Sequence, residues 1–330
     1  MTDLQRFRSA GVIRQASGAA AAALKMRAAA WDVPLIETSD RLSLLVWDCE
    51  LRLTPLPDSL RIDLSGPEHR LVGNLRESAA ELFAEVGLSV EWDHVDVGAL
   101  APGLSLMRVA GVSRPSPNFL RVRLTGPDVG RFGQGGLHFR LLLPPAGRAP
   151  VWPTVTQSGR TAWPEGPDAL HRPVYTVADQ QDDWLEFDIF RHPGSPTCDW
   201  ADRVEPGAEV GIIGPGGGWC PDARVLHLLG DETALPAIAR MLSLAQGTVR
   251  AFVRASDDDL GPLVHDPRVT RCDDLLGALH DLEVCEQSHV WFAARDDEAR
   301  AARRCLLDRG VAKTAFTAAA YWSRGAAPAD

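Results

Sequence analysis

A change of periodicity near residue 224 constrains this chain more than any other feature. Upstream, short strand-like runs are punctuated by Gly and Pro; downstream, strands alternate with helices. The run 225–229 reads as a continuous apolar strand, with a helix following over 233–244. A second strand is expected at 249–253, a later one at 290–293, and a helix at 297–308. Parallel strands need a crossover long enough to hold a helix, so this alternation predicts a doubly wound parallel sheet. The upstream runs at 119–124, 137–143, 174–177, 184–190 and 210–213 are short and regularly spaced. They predict a small antiparallel barrel, which leaves no open strand edge.

Residues 1–93 have a third character. Segment 14–31 is helical in composition, and alternating runs follow at 34–38, 42–47, 51–55 and 60–64. A helix is expected over 68–86, where Leu71, Leu75, Ala79, Leu82 and Phe83 recur at helical spacing and Gly87 marks the stop. Residues 94–105, with Gly98, Pro102 and Gly103, read as a linker. The expected architecture is multidomain: a small α+β accessory domain over 1–93, an antiparallel β-barrel over 106–217, and an α/β domain over 218–325.

Composition excludes several function classes. Net charge is −10, and Lys25 and Lys313 are the only lysines. No basic run marks a nucleic-acid face, so no nucleic-acid partner is expected. No uncharged apolar run approaches the roughly 18 residues of a membrane span, and Lys25 and Arg27 interrupt the Ala-rich stretch at 19–30. The expectation is a cytoplasmic protein without a membrane partner. The six cysteines, Cys49, Cys198, Cys220, Cys272, Cys285 and Cys305, form no CxxC pair. No metal site is expected from them, and electron transfer would require an organic cofactor.

Five segments could carry chemistry. In His171-Arg172-Pro173-Val174-Tyr175-Thr176-Val177, a cation, an aromatic ring and a hydroxyl lie within five residues of one extended segment. That set suits a flavin, and suits an ordinary barrel strand as well. Segment 188–201 runs from a strand through Pro193, Gly194 and Pro196 into a short helix starting near Thr197. Backbone N–H groups at a helix start can meet phosphate oxygens, though Asp199 opposes an anion there. His192 in this turn also suits a purely structural role. Gly214-Pro215-Gly216-Gly217-Gly218 is not a GxGxxG loop and precedes its strand, so it reads as an interdomain turn. Leu229-Gly230-Asp231-Glu232-Thr233-Ala234-Leu235-Pro236 leaves a buried strand and opens a helix, with Thr233 as the expected N-cap. Finally, Tyr321 and Trp322 form an aromatic pair near the C-terminus, and Tyr175 and Tyr321 are the only tyrosines.

Together these segments resemble the siderophore-interacting protein family of ferredoxin-reductase-like flavoproteins. The resemblance covers about 106–325 and rests on ordered motifs. They are FLRVRLTGP at 119–127, Tyr175-Thr176-Val177, the turn His192…Pro196…Trp200-Ala201, Gly214-Pro215-Gly216, GDETALPAIAR at 230–240, Val290-Trp291 and Tyr321-Trp322. Residues 1–93 look like a domain of unknown function that accompanies some members. The resemblance implies a barrel holding FAD and an α/β domain receiving NADH or NADPH. Tyr175 and Thr176 would contact the flavin, with Val177 beside them, and Arg172 would stand in for the family arginine displaced by Pro173 in binding the cofactor. Thr197, Cys198, Trp200 and Ala201 would hold the pyrophosphate. Asp231, Thr233 and Ala234 would border the nicotinamide. The implied task is reduction of a ferric siderophore, whose hard oxygen ligands hold ferric iron far better than ferrous. A flavoenzyme of this build acting on an organic substrate, and a flavin-binding protein without turnover, are the alternatives.

The chain departs from the family pattern. Pro173 and Ala178 stand where arginines are usual, Ala294-Arg295 replaces Gly-Glu, and Pro193 replaces a glycine. Arg254 ends the second α/β strand. An arginine there can accommodate a 2′-phosphate, which predicts NADPH; a solvated surface arginine is the alternative.

Overall fold

The computed structural model describes residues 6–14 and 18–323. Arg324 and Gly325, the end of the resemblance, lie outside the described residues, as do 15–17 of the first expected helix. The chain divides into two units: one of residues 1–104 and 144–170, the other of 105–143 and 171–330.

The first unit is a six-stranded sheet with two helices. Its elements are β1 (Phe7–Arg14), α1 (Ala19–Trp31), β2 (Leu35–Glu37), β3 (Leu42–Val46), β4 (Cys49–Leu56), β5 (Ser59–Gly66), α2 (His69–Glu85) and β6 (Val90–Trp92), in strand order β2-β3-β4-β5-β1-β6. In β5, Leu60, Ile62 and Leu64 alternate into the core, as the period-two pattern predicts. Leu75, Leu82 and Phe83 of α2 are buried in the same cluster. Each such side chain contributes about 1.5–3 kcal/mol when fully buried.

The second unit opens with the barrel strands β7 (Leu104–Ser116), β8 (Phe119–Thr125) and β9 (His138–Leu142). Residues 144–170, with the short strands β10 (Thr154–Val155) and β11 (Thr161–Ala162), group with the first unit. The barrel resumes with β12 (Val174–Gln180), β13 (Trp184–Phe190), the helix α3 (Pro196–Ala201) and β14 (Glu209–Gly216). The six strands close in the order β12-β13-β8-β7-β14-β9. Phe139, Phe187, Leu141, Val122 and Leu124 fill its interior.

The parallel sheet follows. Its strands are β15 (Val225–Asp231), β16 (Thr248–Arg254), β17 (Val269–Arg271), β18 (Ser288–Arg295) and β19 (Phe316–Trp322), in the order β17-β16-β15-β18-β19. Helices α4 (Leu235–Leu244), α5 (Asp257–Leu260), α6 (Leu275–His280) and α7 (Asp296–Asp308) connect them. The order reverses between β15 and β18, and in open α/β sheets that switch point is where ligands bind.

One expectation is corrected here. Gly214-Pro215-Gly216 is not an interdomain turn but the end of β14, where Gly216 pairs with His138 across a bulge. Gly217 follows at φ 75°, and a Cβ there would strike the His138 ring. Tyr321-Trp322 belongs to regular structure. It ends the parallel strand β19, whose Ala318 and Ala319 pair with Phe292 and Ala293. Among the described residues, no helix is long and apolar enough to cross a membrane.

Candidate functional site

The expected site residues fall into two clusters because β12 is extended. Successive side chains on a strand point to opposite faces, so Tyr175 and Val177 part from Val174 and Thr176. Tyr175 lies opposite Phe139 on β9, and its ring centroid is 5.0 Å from that of Phe187. Val177 is buried in the barrel core. Burial pushes the Tyr175 phenol above its ordinary pKa, against a hydrogen bond with Thr197. Thr197 is buried, and its Oγ1 is also 2.9 Å from Nε2 of His171.

Thr197 belongs to α3, which Ser195 caps by accepting from the Cys198 N–H at 3.2 Å. Pro196 sits in the first turn, where its missing N–H costs nothing. Cys198 and Ala201 are buried, and Trp200 packs on the barrel core. This cluster joins Tyr175, Val177, Thr197, Cys198, Trp200 and Ala201. His192 is not drawn into it: the residue is exposed, with Nδ1 3.3 Å from the carbonyl of its neighbour Pro193.

The second cluster forms on the other face of β12. Thr176 is buried, and its Oγ1 is 3.0 Å from Nδ1 of His138. Nε2 of His138 is 3.1 Å from the Tyr321 hydroxyl. Burial, with a contribution from Arg240, pushes the His138 pKa down to about 4. The ring is therefore neutral at neutral pH, with one nitrogen donating and the other accepting. The Tyr321 phenol is pushed above its ordinary value by burial and by Asp231. Its ring stands edge-on to both His138 and Trp291.

Beside Tyr321, the Trp322 indole N–H donates to Oδ2 of Asp231 at 2.8 Å. Asp231 ends β15 and is only 1% exposed, so it must be satisfied internally. Its Oδ1 accepts from the N–H of Thr233 at 3.0 Å and from the Thr233 hydroxyl at 2.6 Å. Asp231 thus caps a 3-10 turn over Glu232–Ala234 that precedes α4, and the N-cap position of α4 itself is Ala234, not Thr233. Ala234 is fully buried, and a Cβ on Gly230 would lie 2.6 Å from the Ala234 Cβ and 2.9 Å from the Ala293 carbonyl. Glycine at 230 is what lets the helix start sit this close to the strand.

Arg254 also reaches Asp231, with Nη2 3.7 Å from Oδ2. Its main partner is Glu298, held by two hydrogen bonds of 2.6 and 2.9 Å. Those bonds, more than the nearby carboxylates, hold the guanidinium above its ordinary pKa. The arginine expected to be open to a 2′-phosphate is therefore occupied.

Four residues outside the expected set also make long-range ties in this unit. His138 lies within an expected strand but carries no local signal. Arg240 belongs to the GDETALPAIAR run; its Nη1 and Nη2 donate to the carbonyls of Leu137 and Phe132 at 2.6 and 2.7 Å. Asp259 of α5 accepts from Ser116 Oγ, Asn118 N and Asn118 Nδ2 at 2.8, 3.1 and 2.8 Å. Arg140 stands opposite Val174 on β9 and donates to the Arg172 carbonyl at 2.7 Å.

The donor set of the β9–β12 face fits a flavin dinucleotide. Val174 is 53% exposed and offers apolar surface; Thr176 offers a hydroxyl; Arg140 and Arg172 offer cations for a pyrophosphate. The usual second arginine position, Ala178, falls on a bulge between Val177 and Asp179. A bulged residue is re-aimed out of the regular alternation, so the neighbouring strand's Arg140 is the better-placed cation.

Comparison with known proteins agrees with the barrel and α/β architecture. Residues 108–219 match a family model described as the siderophore-interacting FAD-binding domain, and 223–325 match one described as siderophore-interacting protein. Ferric vibriobactin reductase ViuB of Vibrio cholerae is 29% identical over 241 residues, covering 64% of this chain and 86% of that protein. Ferric acinetobactin reductase of Acinetobacter baumannii is 25% identical over 165 residues, 44% of this chain and 58% of that one. Among solved structures, a siderophore utilization protein from T. fusca superposes with a TM-score of 0.55 at 26% identity, covering 72% of this chain and 98% of its own. The siderophore-interacting protein SipS from Aeromonas hydrophila gives a TM-score of 0.56 at 24% identity, covering 68% and 93%, and shares the fold.

Proposed function

The chain belongs to the siderophore-interacting protein family, with an FAD-binding domain over 108–219, and on that premise we propose that it carries electrons from a nicotinamide nucleotide to a ferric siderophore in the cytoplasm. The observation that carries this reading is the continuous polar line from Thr176 through His138 to Tyr321. It links the flavin-type strand β12 to the end of β19, where Trp322 meets Asp231 at the switch point of the sheet. A hydride donor held at the sheet and an acceptor held on the barrel would meet along this line.

When bound, FAD would supply what no side chain here can: acceptance of one hydride and release of its two electrons singly. The protein's own residues bind and orient. Arg140 and Arg172 would face the pyrophosphate, and Thr176 would present its hydroxyl to the ring edge. The neutral His138 keeps Thr176 and Tyr321 in register. One hydride equivalent reduces two ferric ions and releases a proton. A siderophore's oxygen ligands bind the resulting ferrous ion weakly, so reduction frees the metal.

The test is spectroscopic. Purified protein should carry or take up FAD, and anaerobic NADH or NADPH should bleach its visible bands. A ferric catecholate or hydroxamate chelate should restore the bands while a ferrous trap colours. Flavin that bleaches but passes nothing to any ferric chelate would redirect the reading to an organic acceptor. Flavin that stays oxidised with both nucleotides would remove the reductase reading.

A further inference from the structure

The rim at the C-terminal ends of the parallel strands is acidic where a phosphorylated ribose would need free cations. Arg254 closes β16, the strand whose end reads the adenosine ribose in dinucleotide-binding sheets. Both of its terminal nitrogens are engaged by Glu298 at 2.6 and 2.9 Å. Glu298 comes from the first turn of α7, so the pair spans the switch point from the β16 side to the β18 side. The Glu298 side chain is only 12% exposed. The neighbouring guanidiniums are matched as well. Arg295 is paired with Asp297 at 2.5 and 2.9 Å. Arg271, at the end of β17, faces Asp257 at 3.8 Å and Asp273 at 3.5 Å. Glu232 adds a half-buried carboxyl next to Asp231.

We propose that this rim selects the dinucleotide whose adenosine ribose carries a free 2′-hydroxyl, with Glu298 setting the specificity through its hold on Arg254. The inference rests on the α/β module being the dinucleotide site, as proposed above. A phosphate monoester brings about −1.5 to −2 charges at neutral pH. To take the bidentate edge of Arg254 it must displace a carboxylate and leave Glu298 largely buried without its cation, which is the costly half of breaking such a pair. A free hydroxyl carries no charge and can donate to a carboxylate already in place. Local sequence points the other way, because Arg254 is visible there while its partner lies 44 residues downstream.

Calorimetric titration of the FAD-loaded chain with NAD⁺ and with NADP⁺, at one ionic strength, reads this without turnover. NAD⁺ should bind at least about tenfold more tightly, the scale of one charge-assisted contact. Glu298→Gln keeps the side chain's shape and removes its charge. It should strengthen NADP⁺ binding by about tenfold and give NAD⁺ no gain. Arg254→Gln in the same background should erase that gain. NADP⁺ binding as tightly as NAD⁺ to the unaltered chain, or a ratio unmoved by Glu298→Gln, overturns the inference. Binding of neither nucleotide overturns the dinucleotide reading and this inference with it, a result distinct from binding without discrimination.

Discussion

The hydroxyl of Tyr321 lies 3.1 Å from Nε2 of His138, across 183 residues of sequence, and joins the parallel sheet to the barrel through one neutral imidazole. That imidazole makes stability pH-dependent. Burial lowers its folded-state pKa from an ordinary 6.5 to about 4. Below pH 6.5 the unfolded chain takes up a proton that the folded chain resists. The contribution is therefore fully present above about pH 6.5 and is lost as pH falls toward 4, on the order of 3 kcal/mol in all. Urea unfolding at a series of pH values should show this slope, and His138→Gln should flatten its own share of it. An unchanged slope in His138→Gln would mean that the ring titrates normally in the folded chain.

Arg240 should be the strongest single tie between α4 and the barrel. Its guanidinium donates to two barrel carbonyls and lies 5.2 Å from the Trp219 ring centroid, and burial pushes its pKa down to about 10. Arg240→Met removes both charge-assisted bonds, each contributing about 1–2 kcal/mol net, while the Leu137 carbonyl keeps the Val177 N–H at 3.1 Å. The expected result is a loss of about 2–4 kcal/mol in urea unfolding, with the barrel and sheet separating into two transitions. Arg240→Lys should recover only part, because one ammonium cannot reproduce the planar fork. A single transition at an unchanged midpoint in Arg240→Met would contradict this.

How much of this was legible in the sequence follows from the range of each signal. The parallel sheet was legible because the near-unbroken apolar run of β15 and the helix after it lie within a window of about 20 residues. Tyr175, Thr176 and Asp231 were legible because they sit in ordered motifs. His138, Arg240, Asp259 and Glu298 were not. Each acts on a partner at least 38 residues away, and no local pattern distinguishes His138 from any polar residue on a barrel strand. Nor does local sequence show that Arg254 is paired with Glu298, 44 residues downstream. His192 differs in another way: its motif position is visible in the sequence, and its exposed side chain stands apart from the Tyr175 cluster.

Gly230 tests whether the strand–helix junction sets the position of Asp231. A Cβ at 230 would meet the Ala293 carbonyl at 2.9 Å and Ile238 Cδ1 at 3.0 Å, in addition to the Ala234 Cβ. Backbone and fully buried neighbours cannot swing aside, so Gly230→Ala should cost about 1–3 kcal/mol through overpacking. The start of α4 should shift and loosen the Asp231–Trp322 contact, which a changed tryptophan near-UV circular dichroism signal would report. Equal stability and an unchanged spectrum would show that α4 can retreat freely.

Arg140 is the residue on which flavin retention should depend most among the cations of the barrel face. Pro173 and Ala178 remove the usual guanidiniums from β12, and Ala178 falls on a bulge. Arg140 stands on the adjoining strand opposite exposed Val174 and is anchored by the Arg172 carbonyl. The anchor fixes the guanidinium at the strand face and leaves its remaining N–H groups for a pyrophosphate. Arg140→Met keeps the length of the stem and removes the charge. It should weaken FAD binding by about tenfold, read as recovery of flavin fluorescence on dilution, with a steeper loss at low ionic strength where the electrostatic share is largest. Arg140→Lys should retain an intermediate affinity, since it restores the charge without the bidentate geometry. If Arg140→Met holds FAD as tightly as the unaltered chain, the pyrophosphate contact belongs to Arg172 and the α3 turn alone.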